Sequence, residues 1–427
     1  GLAEAKVMVV PRVFRGFDYP GMNQQLRLEL PCLKQVLALG VEGPQSFEQT
    51  LLTRRWEQEM DGPAIFRERR LQPNDVVQVL YTSGTTGDPK GVMHTSNTLL
   101  ADIVQPIRRL ELSQQDVMFM PSPLAHQTGF ALGMMLPLVL HAKCVLQDIW
   151  DPETALQRIQ DEGVTFSMGA TPFLADVTDS PMLESYDLHT LRMFVSGGAP
   201  IPRALVQRAT QRLKASIISV WGMTENCVVT SVKPGDAEEK AFETDGAPLP
   251  GMEIRVINSS GELLPAGEEG ELQSRGPSHF VGYLKRPDLY NMDAQGWFGT
   301  GDLARIDAGG YVRITGRAKD IIIRGGENIP VVEVEQLLYR HPAIQSVAVV
   351  GTPDPRLGER GVAFVTLKPG QTFSLDEMRR FLREHQMAPQ YFPERLEILD
   401  ELPLTASGKI QKFRLREIAK ELKGEWE

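Results

Sequence analysis

The chain has 427 residues, 42% of them hydrophobic and 23% charged, enough for a sizeable core and for two or three domains. Its formal net charge of −10 argues against nucleic acid as a partner, although phosphate groups can still be bound locally. No apolar run reaches membrane-spanning length, and three widely separated cysteines favour a reducing compartment, the cytoplasm, over a disulfide framework.

The first residues, GLAEAKVMVVPRVFRG, have neither an initiator methionine nor the layout of a signal peptide. The run from Lys6 to Val10 predicts a strand that already belongs to a sheet. We therefore expect the chain to begin in the middle of a domain, shortened at its N-terminus.

The stretch YTSGTTGDPKGVMH, residues 81–94, joins a predicted strand at Val76–Tyr81 to a predicted helix that begins near Thr95. Its glycines, hydroxyl residues and one lysine suit a nest of N–H groups around a polyphosphate. It is not a Walker loop, because Lys90 follows a proline and precedes a glycine. On this loop alone, a phosphate site and a simple turn remain equally open.

Strand-like and helix-like runs alternate from about residue 76 to 225, which predicts an α/β fold with mostly parallel sheets flanked by helices. Short strands and Gly/Pro turns over 227–316 predict a small β-rich, barrel-like subdomain. Residues 317–427 predict a small α+β domain, in which Ser374 and Glu377 form a capping box. The predicted domains are therefore 1–316 and 317–427.

Six further motifs follow the loop in a fixed order along the chain. They are Gly197–Pro200, Trp221–Glu225, Gly301–Leu303, Thr315–Asp320, Arg324–Asn328 and Pro403–Lys409. In this order and spacing, from about residue 76 to 416, the chain resembles the adenylate-forming superfamily of acyl-CoA synthetases, peptide-synthetase adenylation domains and luciferases. Within it, the chain is most similar to short- and medium-chain fatty acid or cyclohexanecarboxylate CoA ligases.

The resemblance implies an ATP site, with CoA and a small-molecule carboxylic acid as the other substrates. The β- and γ-phosphates would be held by Thr82, Ser83, Gly84, Thr85, Thr86, Gly87 and Lys90. The adenine would lie along Gly198, Ala199, Pro200, Trp221 and Gly222. Asp302 would accept the ribose hydroxyls, with Arg317 beside it. Many members of the superfamily have Tyr where this chain has Trp221, so stacking is kept and a phenol hydroxyl is lost.

The same resemblance implies the catalytic residues, each of which also has a plainer structural explanation. Lys409, otherwise a solvated lysine, would bridge the attacking carboxylate and the α-phosphate. Thr224 would bond a phosphate oxygen and Glu225 would hold Mg²⁺, although this segment also fits a simple strand end. His126, otherwise a polar residue at a helix start, would lie beside the acyl carbon.

A second half-reaction requires a second geometry. In the superfamily the C-terminal domain, residues 317–427, is a mobile lid that rotates about a hinge, here Lys319. Gly325 and Gly326 would then line the tunnel for the pantetheine arm of CoA. Phe130, Ala170 and Met223 are acyl-pocket candidates. Their apolar character favours an unsubstituted aliphatic or alicyclic acid, although core packing explains each equally well.

Three functions are consistent with the sequence. The first is an AMP-forming acyl-CoA synthetase. The second is a stand-alone adenylation enzyme that loads a carrier protein. The third is a truncated nucleotide-binding fragment without turnover. The sequence leaves the identity of the acid and the oligomeric state open, with a homodimer among the candidates.

Overall fold

The computed structural model describes residues 1–82, 89–198, 201–236, 238–405 and 408–422. The chain divides into two compact units, Gly1–Val79 and Leu80–Glu427. The domain boundary near residue 316 stays a prediction. Within the described ranges, no helix combines the length and apolar character that crossing a bilayer requires.

The first unit contains a parallel pair of strands over a small core. Its elements are β1 (Val7–Pro11), β2 (Val13–Phe14), β3 (Phe17–Asp18), α1 (Tyr19–Glu29), β4 (Gln35–Leu39), a π-helical turn (Glu48–Thr53), α2 (Trp56–Glu59), α3 (Gly62–Glu68) and β5 (Val76–Thr82), which runs across the unit boundary. Strand β1 pairs in parallel with β4, and Val10, Leu33, Val36 and Ala38 are buried between the elements. The strand predicted at residues 6–10 is thus confirmed as β1.

The second unit is built on a seven-stranded sheet in the order β13-β12-β11-β10-β9-β7-β8. In chain order, the strands from β6 to β13 are β6 (Lys90–Thr95), β7 (Val117–Met120), β8 (Lys143–Leu146), β9 (Phe166–Gly169), β10 (Met193–Ser196), β11 (Ser216–Met223), β12 (Cys227–Ser231) and β13 (Ala247–Pro248). All of them except β6 belong to the seven-stranded sheet. Strands β8, β7, β9, β10 and β11 are parallel, whereas β12 pairs antiparallel with both β11 and β13. The predicted mostly parallel sheet is confirmed.

Helices connect these strands, as the alternating pattern predicts. They are α4 (Ser96–Arg109), α5 (Leu136–Leu140), α6 (Pro152–Glu162), α7 (Thr171–Asp179), α8 (Arg203–Leu213) and α9 (Glu238–Glu243), with a π-helical stretch at Gly129–Met135. Successive strand residues alternate between two cores: Phe119 packs in one, whereas Met118 and Met120 pack in the other. Both faces are therefore buried, which is typical of parallel sheets.

The β-rich region forms an open four-stranded antiparallel sheet of β14 (Glu253–Ile257), β15 (Glu269–Arg275), β16 (Phe298–Ile306) and β17 (Val312–Arg317). The four strands pair in chain order, and β14 and β17 form the two edges of the sheet. The barrel-like form expected here is not found among the described residues, where the sheet is open because β14 and β17 do not pair.

The remaining residues form an α+β region. Its elements are β18 (Ile322–Arg324), β19 (Glu327–Ile329), α10 (Val331–Leu338), β20 (Ile344–Asp354), β21 (Gly358–Leu367), α11 (Leu375–Glu384), β22 (Arg395–Ile398) and α12 (Lys412–Glu421). Strand β21 pairs with β18, β20 and β22, and both β20 and β21 are buried on both faces. Ser374 Oγ accepts a hydrogen bond from Glu377 N at 3.2 Å, which confirms Ser374 as the cap of α11.

Candidate active site

The turn between β11 and β12 carries Thr224, Glu225 and Asn226. It is a tight hairpin in which Met223 pairs with Cys227. A Cβ on Gly222 would lie 1.7 Å from the Cys227 carbonyl oxygen, so this position requires glycine. Cys227 itself has a φ of 60°, the left-handed conformation that closes a three-residue hairpin loop.

Three consecutive carbonyl groups of this loop, residues 224–226, are each held by a different part of the chain. The donors are His94 Nε2 to Thr224 O at 2.7 Å, Phe280 N to Glu225 O at 2.8 Å, and Ser278 Oγ to Asn226 O at 2.9 Å. Burial lowers the pKa of His94, so its ring is neutral and donates from Nε2. The loop is therefore fixed on three sides.

Glu225 places a buried carboxylate at the tip of this loop, with 7% of the residue exposed. Its Oε1 accepts a hydrogen bond from Tyr283 Oη at 2.8 Å. Burial and the neighbouring Glu225 charge raise the pKa of Tyr283, which keeps the phenol protonated as a donor. Lys90 Nζ lies 5.4 Å from the centroid of the Tyr283 ring.

Asp302 is the second buried carboxylate, 3% exposed, and its two oxygens have different partners. Oδ2 accepts a hydrogen bond from Trp221 Nε1 at 2.9 Å, and Oδ1 forms an ion pair with Arg317 Nε at 2.9 Å. The antiparallel register of β16 and β17 places Asp302 directly opposite Arg317. Each oxygen keeps a further lone pair for another hydroxyl donor.

Lys409 reaches the same place from the α+β region. Its Cε lies 3.3 Å from the position of a Cβ built on Gly198, and a Cβ on Gly408 would lie 3.4 Å from Pro172 Cγ. Burial, and then the positive charge of Arg317, lower the pKa of Lys409. The negative charges of Asp302 and Glu225 act in the opposite direction and raise it.

The positive charge of Lys409 acts on His126. Burial, and then Lys409, lower the pKa of His126 to about 4, so the imidazole is neutral at pH 7. Its Nδ1 accepts a hydrogen bond from Thr128 N at 3.3 Å. The structure thus brings Lys409, His126, Glu225, Asp302 and the residues that hold them into one cluster.

Other predicted residues lie elsewhere. Gly325 and Gly326 form the exposed turn between β18 and β19, with φ values of 59° and 90°. Lys319 lies in a short exposed turn after β17. Thr82 ends β5. The predictions for Ser83, Gly84, Thr85, Thr86, Gly87, Ala199 and Pro200 fall outside the described residues.

The predicted acyl-pocket residues occupy different surroundings. Ala170 packs in the core beside α6, α7 and α8, whereas Met223 packs against the cluster around Phe280. Phe130 is half-buried in the π-helical stretch, and its N–H bonds to His126 O at 2.9 Å. Their role in binding an acyl chain stays a prediction.

The sequence analysis missed the polar residues behind the loop. Asp102 Oδ1 accepts a hydrogen bond from Val228 N at 3.0 Å, and burial raises its pKa to about 6. Cys227 Sγ accepts from Gln127 Nε2 at 3.3 Å, and burial followed by the Asp102 charge raises the pKa of the thiol. One signal in the sequence that could have pointed to them was His94, a polar residue within the largely buried strand β6.

Two family models match this chain. The AMP-binding enzyme family model matches residues 2–284, and the AMP-binding enzyme C-terminal domain model matches residues 333–409. A medium-chain fatty-acid–CoA ligase of Escherichia coli (strain K12) is 39% identical over 416 residues, covering 97% of this chain and 73% of that protein.

Two further comparisons extend the match to the whole fold. The putative acyl-CoA synthetase YngI of Bacillus subtilis (strain 168) is 34% identical, covering 97% of this chain and 79% of that protein. The crystal structure of the anthranilate CoA ligase AuaEII in complex with anthranoyl-AMP superposes with a TM-score of 0.85 at 28% identity. That match covers 98% of this chain and 79% of the other.

Proposed function

The chain belongs to the AMP-binding enzyme family, and we propose that it is an AMP-forming acid–thiol ligase whose reaction proceeds in two steps. A carboxylic acid and ATP give an acyl-AMP and pyrophosphate, and CoA then gives acyl-CoA and AMP. The observation that carries this proposal is the position of Lys409, which comes from the α+β region and packs against Gly198, just after β10.

In the first step the substrate carboxylate is itself the nucleophile, so no side chain has to supply one. Negative charge collects on the attacking oxygen, the α-phosphate and the leaving pyrophosphate. A buried ammonium at Lys409 stabilises that charge, and burial makes the interaction stronger than it would be in water. We therefore assign the present arrangement of the α+β region to this step.

The nucleotide would be held by residues whose geometry is already fixed. Trp221 would lie against the adenine, and Asp302, oriented from both sides, would accept the ribose hydroxyls. Arg317 pairs with that carboxylate and holds it in place. His126 would lie beside the carboxylate of the acid substrate. Because its imidazole is neutral, it would not form an ion pair that keeps this carboxylate away from the α-phosphate.

The site also fits a divalent cation. Hard cations such as Mg²⁺ take carboxylate and phosphate oxygens, and Glu225 offers a buried carboxylate whose described partner is a neutral hydroxyl. Glu225 would hold the metal with Thr224 close to the phosphates. When bound, Mg²⁺ supplies charge neutralisation for the triphosphate.

The second step needs the thiol of CoA to reach the place where Lys409 lies. We propose that the α+β region rotates about Lys319, withdrawing Lys409 and bringing the exposed turn of Gly325 and Gly326 towards the body. Their positive φ values and lack of side chains would leave room for the thin pantetheine arm.

The acid is proposed to be an unsubstituted medium-chain aliphatic or alicyclic acid. Phe130, Ala170 and Met223 are apolar, and the Escherichia coli relative carries the name of a medium-chain fatty-acid–CoA ligase. The cysteines are unpaired, with Cys32 and Cys144 half-buried and Cys227 buried, which supports a reducing cytoplasm.

The first test is a pooled reaction of the chain with Mg·ATP, CoA and straight-chain, branched, alicyclic and aromatic acids, read as thioester masses. We expect one dominant aliphatic acyl-CoA. Pyrophosphate release without a thioester would favour a carrier protein as the acceptor. Nucleotide binding with neither product would favour a fragment without turnover.

The Lys409→Ala variant tests the residue that carries the proposal. Removing the ammonium should slow acid-dependent pyrophosphate exchange by about a hundredfold or more. Thioester formation from added acyl-AMP should persist, because that step does not use Lys409. Lys420→Ala, an exposed lysine of the same region, is the matched control. An unchanged exchange rate in Lys409→Ala would contradict the assignment.

A further inference from the structure

Tyr283 is a buried tyrosine, 6% exposed, that touches two predicted phosphate-site residues at once. Its hydroxyl donates to Glu225 Oε1 at 2.8 Å. Its ring lies under the ammonium of Lys90, with Nζ 5.4 Å from the centroid, within the range of a cation–π contact. Lys90 and Glu225 belong to separate parts of the chain, and Tyr283 contacts both.

The backbone fixes Tyr283 against the strand that begins with Lys90. Tyr283 bridges to Val92 in antiparallel fashion, and hydrogen bonds from Leu284 N to Gly91 O at 2.8 Å and from Met93 N to Gly282 O at 3.0 Å flank that bridge. Strand pairing therefore sets the distance between the backbones of Tyr283 and Lys90, and the lysine side chain spans the rest.

Aromatic packing then fixes the direction of the phenol. The Tyr283 ring meets the Phe280 ring edge-on, with centroids 4.8 Å apart, and Phe280 also packs edge-on against Tyr290 and Phe298. Since Phe280 N also donates to Glu225 O, the same segment holds both the backbone and the carboxylate of Glu225. The hydroxyl consequently has one defined acceptor.

The chemistry of the partner matters as much as its position. A buried carboxylate needs a hydrogen bond, because leaving it unsatisfied costs several kcal/mol. An arginine partner, such as Arg317 provides for Asp302, would also cancel its charge. A neutral phenol satisfies one oxygen without adding a positive charge that would compete with a metal ion.

We infer that Tyr283 is the positioning residue of the metal–phosphate site, orienting the Glu225 carboxylate towards Mg²⁺ and supporting Lys90 beneath the triphosphate. This inference rests on the proposed function, in which Glu225 holds the metal. It assigns a role to Tyr283, which lies outside the sequence motifs.

The test measures binding rather than turnover. Calorimetry gives the affinity for α,β-methylene-ATP, which cannot donate its adenylyl group, once with Mg²⁺ and once with EDTA. The ratio of the two affinities is the gain due to the metal. Tyr283→Phe, which removes only the hydroxyl, should reduce that gain about tenfold and leave the metal-free affinity unchanged. Tyr290→Phe removes a hydroxyl from the same aromatic cluster and should leave both affinities unchanged.

Glu225→Gln separates failure of this inference from failure of the proposed function. If Glu225→Gln loses the metal gain while Tyr283→Phe keeps it, Tyr283 does not position the carboxylate. If Glu225→Gln itself keeps the gain, the metal assignment of Glu225 falls, and this inference with it. Tyr283→Leu, which also removes the ring, should weaken metal-free binding, and an unchanged value would overturn the support given to Lys90.

Discussion

At the scale of single residues, the hydrogen bond from Trp221 to Asp302 links the base and ribose parts of the proposed nucleotide site. Trp221→Phe keeps an aromatic face but removes the N–H that orients Asp302 Oδ2. We expect ATP affinity to fall about fivefold, corresponding to one hydrogen bond of about 1 kcal/mol. The preference for ATP over 2′-deoxy-ATP should shrink as well, and calorimetry with both nucleotides measures it.

A matched control exists in the same chain. Trp150 Nε1 donates to Asp176 Oδ2 at 2.8 Å, an indole–carboxylate pair outside the proposed site. Trp150→Phe should leave both nucleotide affinities unchanged. If Trp221→Phe discriminates between ATP and its 2′-deoxy form as well as the unmodified protein does, the indole does not orient the ribose-binding carboxylate.

The motif residues could be predicted because they occur in a recognisable series along the chain, whereas their supports could not. Tyr283 contacts Glu225 across 58 residues, and His94 contacts Thr224 across 130. No local sequence pattern predicts such a pair. A buried tyrosine in an apolar segment looks the same in the sequence whether its hydroxyl donates to a carboxylate or to a backbone carbonyl.

At the scale of elements, Tyr339 at the end of α10 holds the α+β region against the seven-stranded sheet. It packs against the cores of both regions and hydrogen-bonds Arg208, which is also paired with Asp179 at 2.8 Å. Tyr339→Ala should slow pyrophosphate exchange roughly fivefold, equivalent to about 1 kcal/mol of docking free energy. Transfer from added acyl-AMP to CoA should not slow.

Tyr391→Ala is the control for this variant, because Tyr391 packs against the core of the α+β region alone among the described clusters. It should affect both half-reactions alike, if at all. Equal slowing of the two half-reactions by Tyr339→Ala would mean that this contact only stabilises the fold and does not favour the arrangement used for adenylation.

The periodicity of the sequence predicted the larger helices and strands, but it could not predict whether the β-rich sheet closes into a barrel. Alternation of strand and helix predicts the parallel sheet, because each crossover needs a helix. The β-rich region has equally clear strands, yet whether β14 and β17 meet is decided by curvature and by residues far apart in the chain. That is why the open sheet differs from the expected barrel-like form.

At the scale of the whole molecule, Asp102 makes stability depend on pH. Burial raises its pKa from 3.8 in the unfolded chain to about 6. The folded state therefore binds more protons between these values, and stability falls as pH rises through that window. The full penalty, about 3 kcal/mol, is present above pH 6.

Asp102→Asn removes this titration while keeping an oxygen that can accept from Val228 N. We expect the difference in free energy of unfolding between the variant and the unmodified protein, from urea titrations, to shift in favour of the variant by about 2 kcal/mol between pH 4.5 and pH 7. A constant difference between the two proteins over this range would show that Asp102 does not titrate within it.

The late position of Lys409 in the chain has a consequence for synthesis on the ribosome. The described residues that hold the nucleotide in the proposed site lie between Thr82 and Arg317, so they leave the exit tunnel first. Translation that stops before residue 409 would yield a product able to bind ATP but lacking the ammonium needed to use it. We therefore expect incomplete products of this gene to sequester nucleotide without releasing a reactive acyl-adenylate.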